Sequence, residues 1–415
     1  MPRAGQLKPL SDSRLSDHIS IGVLTHVFPP ELVDGVVAEA GRTERRHRLL
    51  PARVVVYYVL ALALFADASY EEVMRQLVEG LAWDSGWKRS WEVPSKVAIY
   101  KARQRLGREP LELLFRAVAR PLATESTRGA FYRGLRLVSL DGTCMDVADT
   151  EPNTEVFGRP GSSRREGGGA FPQLRLVALA ESGTHAIFDA ALGPCTSSEQ
   201  ALADRLWDSL EEGMLCLADR NFYSFERFET ARGTGAQLLW RVKSDIGLPR
   251  VQTLRDGSYL TSIHALKDRK TRRNGKPARV IEYAVDDRAL ADPEQRYRLI
   301  TTILDPDQAP AAELAALYPE RWELESALDE LKTHQRGPRV VLRSKTPDGV
   351  YQEAYGHLAT HYAIRRVMHD AALGADLIPH RLSFIASLRA ARRTARTTPG
   401  LSPPDDPGRP PTGDH

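Results

Sequence analysis

A change in the spacing of apolar residues near residue 130 constrains this chain more than any other feature. From about residue 30 to about 125 they recur every three or four positions, the period of helices buried on one face. "PPELVDGVVAEAG" (29–41) is a short amphipathic helix, with Pro at its start and Gly after its end. "LLPARVVVYYVLALALFADASYEEVMRQLVEGL" (49–81) reads as two helices split near Ala68-Ser69. Its apolar run, "VVVYYVLALALFA", falls short of the 18 or more residues of a membrane span, so it is a buried helix. "PSKVAIYKARQRLG" (94–107) offers Ser95 as an N-cap and Gly107 as a stop. Its expected apolar face holds Val97, Ala98, Ala102 and Leu106, and its other face Lys96, Lys101, Arg103 and Arg105. A short basic helix after other helices is compatible with a helix-turn-helix reader of DNA, and equally with the solvated face of a plain bundle.

Beyond residue 134 the pattern alternates, as in strands. "LRLVSLDG" (135–142) ends in Asp-Gly; "QLRLVALAES" (173–182) and "THAIFDAALG" (184–193) follow, with a hairpin turn at "SGT". An amphipathic helix "SSEQALADRLWDSLEEG" (197–213), a strand "MLCLAD" (214–219), a helix "SFERFETARG" (224–233) and a strand "AQLLWRVK" (236–243) complete the set. Three antiparallel strands and then helix–strand–helix–strand make an α/β sheet covered by helices. Residues 244–305 break that rhythm, with short strands separated by "DG" (256–257) and "NG" (274–275) and a basic hairpin tip "KDRKTRRNGK" (267–276). Helices return from about 311 to 395. The residues from 396 onward are Pro-rich and polar, and are expected to be disordered.

The net charge of +3 hides an asymmetry. Residues 1–120 carry about +4, 121–330 about −7 and 331–415 about +6. An acidic centre suits cations, and basic flanks suit a phosphate polymer. No apolar h-region opens the chain, and Cys144, Cys195 and Cys216 form neither a metal pair nor a disulfide framework, so a cytoplasmic protein with no membrane partner is expected.

Two carboxylates end strands: Asp141 in "LVSLD" and Asp219 in "MLCLAD". Carboxylates sharing a site repel unless a cation intervenes. A hard divalent ion with oxygen ligands resolves the repulsion, and a third carboxylate would allow two ions to clamp a phosphoryl displacement. Glu325 is the candidate third. Taken singly, Asp141 fits a turn, Asp219 a helix cap, and Glu325 an i,i+4 partner of Arg321. Glu325 lies in "YPERWELESALDELK" (318–332), where Tyr318, Arg321, Glu325 and Lys332 follow the pattern Y-x2-R-x3-E-x6-K on one side of a helix, with its phase fixed from Arg321 onward, Pro319 expected in the first turn and Tyr318 just outside it.

With "DGT" on an early strand and "LADRNFYSF" on a later one, that pattern resembles the DDE transposases of the insertion-sequence-4 group. The likeness runs from about residue 25 to about 370 and includes the group's N-terminal domain. It implies a ribonuclease-H-like catalytic domain, a mixed α/β sheet with flanking helices, interrupted by a β-rich insertion and preceded by an all-α domain. The expected boundaries are an arm at 1–25, a helical domain binding DNA ends at 26–125, and the first part of the catalytic domain at 130–243. The insertion takes 244–305, the helical remainder 306–395 and the tail 396–415. The resemblance implies that Asp141, Asp219 and Glu325 are catalytic and ligate two Mg2+ ions, for which Mn2+ could substitute. It implies cleavage at the terminal inverted repeats of a prokaryotic insertion sequence, then strand transfer to target DNA, by a homodimer bridging two ends. Double-stranded DNA is the expected partner, at the nucleoid.

The quoted helix then faces a DNA end. Arg321 and Lys332 are expected to hold phosphates, and Tyr318 to bond a phosphate or stack on a base. Lys96, Lys101, Arg103 and Arg105 are the expected N-terminal DNA contacts. Trp322 is expected in the core, and Asp329 as an ion-pair partner of Lys332. Two other readings compete: a transposase descendant that binds DNA without transposing, and a metal-free glycoside hydrolase using Asp219 and Glu325.

Overall fold

The computed structural model describes residues 22–44, 46, 48–84, 93–161, 169–268, 270–284, 296–337, 340–375 and 377–397. Most of the expected N-terminal arm and nearly all of the Pro-rich tail lie outside them. Six helices come first: α1 (Val23–Val27), α2 (Pro30–Glu39), α3 (Ala52–Leu64), α4 (Tyr70–Asp84), α5 (Lys96–Leu106) and α6 (Glu109–Val118). The strands and helices that follow are β1 (Phe131–Tyr132), β2 (Leu135–Asp146), α7 (Glu151–Phe157), β3 (Gln173–Glu181), β4 (Ala186–Pro194), α8 (Glu199–Ala203), β5 (Met214–Ala218), α9 (Phe225–Gly233) and β6 (Gln237–Arg241). Then come β7 (Gln252–Thr253), β8 (Tyr259–Ile263), β9 (Lys276–Ala284), β10 (Arg296–Thr301), α10 (Ala311–Leu317), α11 (Trp322–Asp329), α12 (Pro347–Gly374) and α13 (Phe384–Thr397).

The chain divides into two compact units. One holds the residues up to Val118 together with Gln352–Ile364 and the chain from Ile385. The other holds Ala119–Tyr351 and Arg365–Phe384. The helical segment expected to belong wholly with the sheet is therefore shared out, because part of it supplies apolar cover for the N-terminal helices. In that first unit α3 is buried along nearly its whole length, as its apolar run requires. Gly356 packs close against it: a Cβ there would stand 3.0 Å from Val59 Cγ1. Thr360 Oγ1 donates to the Leu60 carbonyl (3.2 Å).

The second unit is one mixed sheet in the order β4-β3-β2-β5-β6-β10-β9-β8-β7. β2, β3 and β4 are antiparallel neighbours, and β5 and β6 run parallel to β2. β10 pairs antiparallel with β6, so the β-rich insertion extends the same sheet instead of standing apart from it. Gly257 takes φ 83° in the turn before β8, as the "DG" pair requires.

β5 is buried on both faces, with alternate side chains in two cores. Met214, Cys216 and Ala218 join Leu202, Trp207, Phe222 and Phe228 on the side of α8 and α9. Leu215 and Leu217 join Leu314 and Tyr318 on the side of α10. In β2 the alternation places Val138 and Leu140 in the first core and Leu137 in the second. A two-residue period carries Asp141 and Asp219 onto the α10 side.

Two elements differ from expectation. β2 does not close at Asp141. Its parallel pairing with β5 stops at Leu140↔Ala218, but its antiparallel pairing with β3 continues to Asp146↔Gln173, since β3 is long enough to hold it. The helix expected over 197–213 is only α8 and a 3-10 turn at Trp207–Ser209. Its later polar residues serve neighbours instead: Asp204 accepts from Arg227 (2.8 Å), and Ser209 donates to Asp189 (2.6 Å).

Candidate active site

Asp141 lies in β2 one residue beyond its last pair with β5, and Asp219 follows β5 one residue beyond the same pair. Neighbouring strands lie about 4.8 Å apart, so the two carboxylates start from adjacent backbones on one face. Glu325 comes from α11. Arg321 joins two of the three: its Nη1 donates to Asp141 Oδ2 (2.6 Å) and its Nη2 to Glu325 Oε1 (2.9 Å). Asp141 Oδ1 also accepts from the Gly142 amide (2.8 Å). Burial raises the Asp141 carboxyl above its usual range, against the Gly142 amide and the Arg321 charge, which both lower it. Arg321 is itself buried. Burial would lower its pKa, but Tyr318, Asp141 and Glu325 outweigh that and hold its charge more firmly.

Lys332 Nζ donates to Thr143 Oγ1 (3.0 Å), two residues past Asp141. Tyr318 is buried, and its hydroxyl donates to the carbonyl of Ala218 (3.3 Å), immediately before Asp219. Burial raises the Tyr318 hydroxyl pKa, Arg321 lowers it and the Asp219 charge raises it. The structure thus gathers Asp141, Tyr318, Arg321, Glu325 and Lys332 by hydrogen bonds around the point where the β2–β5 pairing ends, and Asp219 follows Ala218 there.

Their arrangement corrects four expectations. Tyr318 does not face outward, because it plugs the apolar layer under the strand ends. Trp322 is not core: it is 61% exposed, since Leu324, Ala327 and Leu328 make the buried face and Trp322 lies about 200° from Leu324. Lys332 does not pair with Asp329, which instead accepts from Thr333 (2.5 Å). Nor does one regular α-helix run from Arg321 to Lys332, although Tyr318 does stand outside it as expected. A 3-10 turn spans Tyr318–Arg321, where Pro319 supplies no amide, and a π-helical turn spans Glu330–Gln335. That π turn is held by buried Glu330, which accepts from Arg365 Nε (2.8 Å) and lies 3.0 Å from His185 Nδ1.

Spacing alone did not reveal Glu199. Its carboxyl lies 3.2 Å from where a Cβ on Gly142 would stand, and it accepts from Asn221 (2.8 Å), two residues past Asp219. The available signal was its place in the first turn of the helix before β5.

Of the N-terminal candidates, Lys96, Lys101 and Arg105 are exposed on α5, and Ser95 caps it by accepting from the Ala98 amide (3.3 Å). Arg103 is not on that face. It is buried, donates to Gln352 (3.0 Å) and lies 3.8 Å from Glu353. Conversely, Val97 is exposed, because it stands opposite Leu106 on the helical wheel.

The donor set, three carboxylates, fits hard divalent cations in its chemistry. In this structure a guanidinium bridges Asp141 and Glu325, and among the described residues no three His, Cys, Asp or Glu side chains stand close enough to hold a metal ion.

Three antiparallel strands followed by two parallel to the first is the ribonuclease-H-like order, the fold of DDE-type enzymes. The transposase DDE domain matches residues 132–362, and the insertion element 4 transposase N-terminal domain matches residues 18–116. The chain belongs to the DDE transposase family, in its insertion-sequence-4 group. It is 29% identical over 377 residues to "Transposase InsG for insertion sequence element IS4" of Escherichia coli (strain K12), covering 90% of this chain and 83% of that one. It is 26% identical over 240 residues to "Putative transposase InsZ" of the same organism, covering 58% of this chain and 77% of that one. Among solved structures, the piggyBac transposase synaptic complex with hairpin DNA matches with a TM-score of 0.49 at 10% identity, covering 90% of this chain and 79% of that chain. No helix among the described residues is long and apolar enough to cross a membrane.

Proposed function

We propose that this transposase cuts the terminal inverted repeats of an insertion sequence and joins the freed 3′ ends to target DNA, acting as a homodimer that bridges two ends. The observation that carries this is that Asp141 and Asp219 each stand one residue past the last pair between the parallel strands β2 and β5, with Glu325 tied to Asp141 through one guanidinium. Asp141, Asp219 and Glu325 would hold two Mg2+ ions, which when bound activate the attacking hydroxyl and offset charge on the scissile phosphate. Tyr318 fixes the backbone that carries Asp219. Arg321, released from its carboxylates by DNA and metal, takes a phosphate bidentately, and Lys332 takes a second as a point charge. Trp322, exposed at the start of the Glu325 helix, is the aromatic free to stack on a terminal base, the task Tyr318 cannot perform. Second-strand cleavage goes through a hairpin at the element's end.

Incubation with end-containing DNA and Mg2+, with strand breaks mapped on denaturing gels, tests this reading. Cleavage should stop in EDTA and in each of Asp141→Ala, Asp219→Ala and Glu325→Ala, while end binding persists. Cleavage that survives EDTA would favour a metal-free hydrolase, and near-normal cleavage by any one variant would remove that residue from the triad.

A further inference from the structure

The exposed face of α5 has a composition that a solvated bundle face does not need. Val97, Tyr100, Lys101, Gln104 and Arg105 fall within about 140° of one another on the helical wheel, opposite buried Ile99, Ala102, Arg103 and Leu106. Val97 is 61% exposed and Tyr100 46%. Gln104 Nε2 donates to the Tyr100 hydroxyl (2.9 Å), so the two side chains are already ordered side by side. Beside this helix lies a cavity of about 310 Å³, lined by Arg42, Arg46, Arg48 and Arg105 over an apolar floor. Its one acidic lining residue, Glu44, accepts from the Ala52 amide (3.0 Å). Arg42 pairs with Glu109 (3.2 Å), whereas Arg46 and Arg48 make no ion pair among the described residues.

These two features are complementary halves of a duplex-binding surface. An amide, a phenol and a branched apolar group in one exposed stripe match the donor, acceptor and methyl edges of base pairs. A cluster of guanidinium groups with little acid to neutralise it matches phosphodiesters. We propose that α5 is the helix that reads the transposon end, with Val97, Tyr100 and Gln104 facing base edges in the major groove and the Arg42/Arg46/Arg48/Arg105 cavity seating the adjoining backbone phosphates. From Val97 to Gln104 the stripe rises about 10 Å, roughly three base-pair steps, and an α-helix fits a groove about 12 Å wide. Lys101 and Arg105 flank the stripe and meet the phosphates at its edge. The assignment rests on the reading that this chain binds its element's ends, and it separates residues that specify sequence from residues that supply affinity.

Selection of duplexes with a randomised central stretch by the full-length chain, without divalent metal, tests it. The wild type should enrich one motif. Gln104→Ala and the triple variant Val97→Ala/Tyr100→Ala/Gln104→Ala should lower the ratio of affinities for selected over scrambled duplex, by about 10-fold and about 100-fold. Arg46→Ala/Arg48→Ala should instead weaken selected and scrambled duplexes alike and flatten the slope of log affinity against log salt by about 1.8. All three residues of the stripe are exposed, so unchanged thermal unfolding of the variants keeps a loss of folding from mimicking the result. If the triple variant enriches the wild-type motif with unchanged preference, the assignment of α5 is overturned and end binding stands. If the wild type enriches no motif, end binding falls and this assignment with it.

Discussion

Replacing Arg321 by Met tests whether a guanidinium occupies the place a metal takes. The substitution keeps side-chain bulk and removes the charge. Asp141 then loses the guanidinium partner and keeps the Gly142 amide. A charge-assisted hydrogen bond to a largely buried carboxylate is worth about 1.5–3 kcal/mol. The Glu325 contact adds only a few tenths of a kcal/mol, roughly, because that carboxylate is more than half exposed and the pair is i,i+4. A loss of about 2–3 kcal/mol lowers the midpoint by about 5–10 °C at this domain size. The penalty also depends on pH in a definite direction. Burial already raises the Asp141 pKa, and removing Arg321 raises it further. The ionised carboxylate is the form that suffers, so the variant's deficit is largest at neutral pH and shrinks as acid protonates Asp141. Mg2+ should reverse it. In the wild type a cation must displace the guanidinium, at a cost of about 2 kcal/mol, whereas in the variant it meets free carboxylates and binds about 30-fold more tightly. Thermal unfolding with and without Mg2+, from pH 5 to 8, reads all three effects. Equal stabilisation of wild type and variant by Mg2+, or a deficit that grows in acid, would refute the reasoning.

Three further outcomes follow from the same geometry. Tyr318→Phe removes one hydrogen bond to the backbone before Asp219; it should cost about 0.5–1.5 kcal/mol of stability and slow cleavage without weakening DNA affinity, measured by unfolding and by gel shift. Lys332→Ala should slow hairpin formation on pre-nicked DNA by about one to two orders of magnitude, and the first nick less, since it bonds Thr143 and is no metal ligand; equal slowing of both steps would exclude a phosphate role. Asp256→Asn should destabilise the chain by about 3–5 kcal/mol, because Arg279, fully buried, is left without its counter-charge. Burial raises the Asp256 pKa, but Ser258, the Ala311 amide and Arg279 lower it more, so its folded-state value lies below the usual carboxylate range. Its stabilisation is therefore present at neutral pH and lost as pH falls below about 3.9. Acid unfolding that is identical in wild type and Asp256→Asn would contradict this.

Much of the second unit could be read from one chain because its rules are local. Alternation in "LVSLD" and "MLCLA" names both the strands and the face each aspartate takes. The helices α2, α3 and α5 carry their caps and stops in "PP", Pro51, Ser95 and Gly107. What escaped depends on partners far away in sequence. Arg103 sits among exposed cations on paper, and only Gln352 and Glu353, some 250 positions later, make its burial tolerable. Val97 is apolar, which suggests the inside, but the wheel puts it opposite Leu106, and an exposed apolar residue is no rule broken. β2 runs past Asp-Gly because β3 continues beside it, which nothing in "DG" can announce.

The motif helix illustrates how far spacing can carry an inference. Offsets of 3, 7 and 14 residues from Tyr318 describe one side of a uniform α-helix, yet the chain delivers those residues through a 3-10 turn, an α-helix and a π turn. The convergence survives because each irregularity has its own anchor. Tyr318 is pinned at the strand end by Ala218, Arg321 by two carboxylates, and the π turn by the Glu330–Arg365 ion pair beside His185. A π turn costs hydrogen-bond geometry, and such turns persist where something compensates. Here Glu330 compensates by turning inward to Arg365, and the same turn delivers Lys332 to Thr143 while Asp329 and Thr333 bond each other outside. The buried ion pair therefore acts on the site at one remove. It sets the phase of the helix beyond Glu325, and with it the distance between the carboxylate that would bind metal and the ammonium that would hold phosphate.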